Sequence, residues 1–143
     1  MRFATAIVLA FLLAASSVNG QAPTPEYLRA NNNLAHENLI CAAYYAVVRA
    51  CLTDRDKELS DRYEKVGIVF LERAMTHTKE AQLLDSTIPA RLKMASDQMN
   101  KAIAGQCKNI SVVSAEHAYS CKFLVEQPLA RAKQLIDAEF NKK

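Results

Sequence analysis

Tryptophan is absent from this chain of 143 residues, and glycine, with three residues, is nearly so. Only Gly67 and Gly105 follow the first twenty positions. Phosphate-cradling P-loops and dinucleotide fingerprints need several glycines in one short loop, where the backbone must approach the ligand, so both are excluded. No G-x-S-x-G nucleophile elbow occurs. His36-Glu37 is followed by Ile40 where a zinc helix of the H-E-x-x-H type needs its second histidine. Cys41 is followed by Ala42, Ala43 and Tyr44, which excludes c-type haem attachment, and no C-x-x-C redox pair exists. Charge of one sign does not accumulate either. The 18 basic and 15 acidic residues are interspersed, for a net charge of +3. Without a basic run or a basic-aromatic stripe, nucleic acid and lipid surfaces are poor candidates as partners.

One apolar run is present, and it stands at the start. Arg2 supplies a positive charge, Ile7 to Ala15 an apolar core, and Val18-Asn19-Gly20 small residues before Gln21, the three parts of a secretory signal. The run is about half of the ~20 residues a membrane-spanning helix needs. Residues 1–20 therefore read as a signal peptide and 21–143 as a single helical domain, exported to the periplasm or secreted, with no membrane span. No cysteine follows the expected cleavage point, so a lipoprotein is not expected. Four cysteines in an exported chain point to disulfides rather than free thiols.

The apolar pattern is helical throughout. A first helix is expected from about Asn33 to Leu52, after a short turn around Glu26 to Ala30. Its segment Leu39 to Leu52 is apolar almost all round, interrupted by Arg49, which suits a helix with several neighbours. A second helix, from Asp54 or Asp56, carries Leu59, Tyr63, Val66, Phe70, Ala74, His77, Ala81 and Leu84 on one stripe. Asp85-Ser86-Thr87 offers cap chemistry for a third helix with Pro89 in its first turn and Gly105 at its end. Ser111 or Ser114 would cap a fourth, in which Pro128 demands a kink or a restart. The expected fold is all-α: a four-helix up-down bundle stapled by two disulfides.

Geometry restricts the staples. Cys41 and Cys51 lie ten residues apart on one helix, ~15 Å along its axis. A disulfide needs Cα atoms within about 7 Å, so these two cannot bond each other. In an alternating bundle Cys51 and Cys107 lie at the same end, while Cys41 and Cys121 lie at similar depths. The expected pairs are Cys51–Cys107 and Cys41–Cys121; the crossed alternative, Cys41–Cys107 with Cys51–Cys121, joins unequal depths.

Asn38-Leu39-Ile40-Cys41-Ala42-Ala43-Tyr44-Tyr45 with Cys51-Leu52, then Asn109-Ile110, Tyr119-Ser120-Cys121-Lys122-Phe123-Leu124, Pro128 and Arg131, resemble small uncharacterised secreted helical proteins of proteobacteria. The resemblance covers residues 34–131 and implies a periplasmic helical protein with no assigned activity and no catalytic residues. The cysteine spacing is also similar to that of plant invertase and pectin methylesterase inhibitors, but their second pair is much farther apart.

Candidate ligand-binding residues are few. His77, on the buried stripe, could serve as a ligand or base, although a core-edge histidine bonded to a neighbouring helix is the commoner role. Arg49 could pair with a buried carboxylate or anchor a ligand, although such side chains more often extend to the surface. Met75 and His77 with Met94 or Met99 could form a copper(I) or haem b site, but methionines at helical spacing are usually packing. Glu58 with Arg62 and Asp61 with Lys65 make i,i+4 pairs of a solvated face. Asn109-Ile110-Ser111 is a glycosylation sequon, relevant only in a eukaryotic host. No cofactor and no catalytic or metal set is implied. The expected function is an exported, non-catalytic interaction module of inhibitor, immunity or envelope-associated type, its partner another exported protein. The alternative is a small-ligand or metal-binding bundle.

Overall fold

The computed structural model of the chain describes residues 22–142. The expected signal segment lies outside the described residues, apart from which the fold can be built helix by helix. Among the described residues five α-helices follow one another: α1 (Pro25–Leu52), α2 (Lys57–Glu80), α3 (Thr87–Ala102), α4 (Ile110–Glu126) and α5 (Pro128–Phe140), with a 3-10 turn at Cys107–Asn109. Among the described residues there is no strand. The count is five rather than four because Pro128 restarts the helix instead of bending it.

Helix α1 begins eight residues before the expected Asn33. Thr24 accepts a hydrogen bond from the Tyr27 amide at 3.3 Å and Pro25 occupies the first turn, where its missing N–H costs nothing. Asp56 caps α2 through the Leu59 amide at 2.9 Å. Ser86 does not cap α3; Thr87 instead donates its hydroxyl to the Leu84 carbonyl at 2.8 Å. Helix α4 starts at Ile110, upstream of both expected serine caps, because the 3-10 turn leads directly into it.

Two helices end in left-handed residues. At the end of α2 Gln82 (φ 56°) donates to the Lys79 carbonyl and the Leu83 amide to Thr78. At the end of α3 Ala104 (φ 51°) donates to Lys101 and the Gly105 amide to Asn100. Both are Schellman arrangements. The expected terminal glycine thus stands one place beyond the position that most needs it. The α2 stripe stops with the helix, leaving Leu84 in the following loop, 73% exposed.

All the other helices pack on α1. Its sequence explains this, since Ala30, Leu34, Leu39, Ala42, Tyr44 and Val47 spread round the helix and are all buried. On α2, Phe70 is fully buried and its ring lies 5.5 Å from that of Tyr45. A side chain of this size contributes about 1.5–3 kcal/mol on burial. Gly67 faces α1, where an added Cβ would meet the Tyr45 Cβ at 3.4 Å, an ordinary packing distance. Leu39, Ala74 and Ile88 form a second small cluster between α1, α2 and α3.

The disulfides are Cys41–Cys121 and Cys51–Cys107, with Cα separations of 5.4 and 5.3 Å. They close sequence separations of 80 and 56 residues and fasten α4 and the turn before it to α1. No helix among the described residues is long and apolar enough to cross a membrane.

Candidate functional site

The break between α4 and α5 makes the site. Pro128 has no N–H, so the Leu124 carbonyl four residues earlier loses its helical donor. Arg73 of α2 supplies a replacement, its Nη1 donating to the Leu124 oxygen at 3.1 Å. A cation at a helix C-terminus is also favoured by the helix dipole. Beyond Gln127 the chain turns, and α5 leaves an open groove of about 560 Å³ above the Glu37–Cys41 stretch of α1.

The floor is apolar: Ile40, Leu124 and the buried Cys41–Cys121 bridge. One side carries a row of polar groups. Arg131 Nε donates to Glu37 Oε2 at 2.9 Å and Nη2 to Glu37 Oε1 at 2.5 Å, a bidentate pair. Arg131 Nη1 donates to Gln134 Oε1 at 3.2 Å. The hydrogen bonds to Glu37 hold the guanidinium pKa above its already high ordinary value, so this cation does not titrate. On the α4 side, His117 is 18% exposed, with its ring 6.2 Å from that of Tyr44. Ser120 donates its hydroxyl to the His117 carbonyl at 3.5 Å, not to the imidazole. Tyr119 stands at the rim, 82% exposed. What these groups offer is hydrogen-bond capacity beside an apolar floor.

His77 and Arg49 lie elsewhere and are not brought together. Asn31 donates its amide to the Tyr27 carbonyl at 3.1 Å, which leaves Asn31 Oδ1 to accept from His77 Nδ1 at 2.9 Å. That network assigns the imidazole proton to Nδ1. Burial lowers the His77 pKa and Arg73 adds to the effect, against an opposing pull from Glu80. His77 is a strut between α1 and α2. Arg49 pairs with Glu64 at 3.1 Å, the two side chains 44% and 43% exposed. Asn31 and Arg49, eighteen residues apart on α1, are ~27 Å distant along the axis. The methionines scatter too: Met99 is buried, while Met75 and Met94 are exposed. Among the described residues, no three His, Cys, Asp or Glu side chains gather as a metal site.

Ser120 and Arg131 stand among the residues that carry the resemblance, but none of Glu37, His117, Ser120, Arg131 and Gln134 was a candidate ligand-binding residue. One signal pointed toward them: a proline inside a helical stripe. Comparison of the chain with family models, with curated proteins and with solved structures returns no match.

Proposed function

We propose that this chain is an exported, non-catalytic interaction module of inhibitor, immunity or envelope-associated type, working in the periplasm or outside the cell. Its partner is another exported protein, held on the α4–α5 face. Two disulfides support an oxidising compartment, and the likeness to secreted proteobacterial proteins belongs to the same reading. The order of contacts supports an up-down-up-down bundle with a broken last arm. Arg49 meets Glu64 and Tyr27 meets Glu80, whereas Arg91 reaches Asn32 and Cys107 reaches Cys51.

The observation that carries the function is the groove at the elbow, flanked by Tyr119 and with Leu129, 84% exposed, in the first turn of α5. Tyrosine combines an apolar ring with a polar tip and is enriched where proteins meet. The test is site-specific photo-crosslinking in the native envelope, with the cross-linker at position 119 and, as a control, at position 94 on α3. One recurrent exported protein attached at 119 but not at 94 is the expected result. The same partner at 94 alone would send the search to another face.

The groove volume also falls within the ~300–1,000 Å³ typical of small-molecule sites, and this favours a second reading. In it, the bundle binds a small ligand beside Glu37 and Arg131 rather than at His77 and Arg49. Native mass and an absorption spectrum of purified protein separate the two: bound mass or colour on a clean monomer supports the second.

A further inference from the structure

We infer that the groove between α4, α5 and α1 receives an uncharged peptide segment of the partner, an apolar side chain on its floor and a backbone amide on its polar row. The inference rests on the reading of the α4–α5 face as an interaction surface and adds the chemistry recognised there.

The argument is one of charge and hydrogen-bond count. Arg131 and Glu37 neutralise each other through two hydrogen bonds. The pair carries no net charge, so a charged ligand of either sign meets an opposite charge that is already compensated. What remains is mixed and neutral. A guanidinium has five N–H donors, and three of Arg131's are spent on Glu37 and Gln134. A carboxylate has about four lone-pair sites, and each Glu37 oxygen accepts one bond from Arg131. Gln134 accepts through Oε1, which leaves its amide nitrogen to donate. Donors and acceptors side by side on one wall match the N–H and C=O of a peptide unit, which offers one of each.

The floor completes the match. Ile40, Leu124 and the Cys41–Cys121 bridge present apolar surface without a charge, where an aliphatic or aromatic side chain is driven by the hydrophobic effect. The groove opens to solvent, so a segment of a partner can reach its floor from outside.

The test uses the full exported chain, isotope-labelled, and four blocked tripeptides with acetylated and amidated ends. Their central residues are leucine, phenylalanine, glutamate and lysine. Amide shift changes on titration into the millimolar range report site and affinity together. The leucine and phenylalanine peptides are expected to move amides of residues 117–124 and 131–134 and to bind at least tenfold more tightly than the charged ones. Ser120→Trp fills the groove while removing only the bond to the His117 carbonyl, and is expected to weaken binding at least tenfold with unchanged thermal stability. Glu37→Gln unbalances Arg131, so the glutamate peptide is expected to gain at least tenfold over wild type. Preference of the wild type for a charged peptide overturns the inference. So do shifts confined to other helices, binding untouched by Ser120→Trp, self-association through this face, or no shift with any peptide. Cross-linking at position 119 requires no peptide, so a partner there without peptide shifts sinks the ligand class and leaves the interaction reading standing.

Discussion

The chain up to Cys121 and the chain after it hold on to α1 by different physics. Up to Cys121, two disulfides and a buried apolar cluster including Phe70, Met99 and Val113 fasten the helices. After it, helix α5 has no covalent tie, and among its residues only Glu139 is buried. Ala132, Leu135 and Ile136 are half-covered. Polar clasps hold α5 instead. Near its start Arg131 grips Glu37; at its end Glu139 accepts from Arg29 at 3.0 Å, from Asn33 at 3.3 Å and from Lys142. Covalent and apolar fastening is insensitive to pH and salt, whereas ionic clasps are sensitive to both. The groove lies where the two regimes meet, so its α5 wall is expected to open before its stapled wall.

The largest effect should come from breaking the stapled side. Replacing Cys41 and Cys121 together by alanine frees a loop with a sequence separation of 80 residues. Cys51–Cys107 stays closed inside it and shortens the effective loop to about 25 residues, for which the chain-entropy account gives a loss of about 3.5 kcal/mol, to be read as a lower urea midpoint. The loss should be global, with α2 and α4 losing amide protection along with α5. Loss confined to α5 would erase the distinction drawn between the two regions.

Arg73→Ala removes the donor that stands in for the missing Pro128 amide. The stranded Leu124 carbonyl should cost about 1–2 kcal/mol in urea unfolding, with exchange rising first around residues 121–131. No change would mean that water serves the carbonyl equally well.

Acid should separate the regions without mutation. Bonds from Lys142 and Arg29 hold the Glu139 carboxyl below its ordinary pKa, so the unfolded chain binds the proton more readily than the folded one. Its contribution is complete at neutral pH and is lost as pH falls through the ordinary carboxylate range toward the depressed folded value. His77, lowered by burial, has the same sign in a higher window. Its contribution is present above about pH 6.5 and falls away below it. Hydrogen exchange from pH 7 to pH 3 should therefore show the α1–α2 contact at His77 loosening first and α5 detaching later. Glu139→Gln should raise α5 exchange several-fold already at pH 7 and leave α4 unchanged.

The smallest effect is a gain on the stapled side. Ala104 adopts φ 51° at the end of α3, a conformation that glycine takes freely. Ala104→Gly should add up to about 1 kcal/mol to the unfolding free energy while α5 exchange stays as it was.

Much of the scaffold was legible because it depends on local chemistry. The 3.6-residue spacing marks the helices, Asp56 marks a start, and Pro128 marks a break. The rise per residue relates Cys41 to Cys121 and Cys51 to Cys107 once the helices alternate. The start of α1 was misread because a run of asparagines, Asn31-Asn32-Asn33, looks like a loop. In the fold, Asn31 bonds the Tyr27 carbonyl and His77, so its polarity is absorbed within the helix pair.

The sequence by itself determined that the chain is helical, where most helices end, which cysteines lie at matching depths, and which motif-borne chemistries are absent. Each follows from interactions among residues close in the chain or from simple counting along an axis. Only the tertiary structure decided that α1 is the helix all others pack on, that His77 and Arg49 stay apart, and that Glu37 meets Arg131 across 94 residues of sequence. The first two depend on which faces α1 and its neighbours bury against one another, and the last on how far α5 turns after Pro128; contacts between residues distant in sequence set both, and no local pattern encodes them.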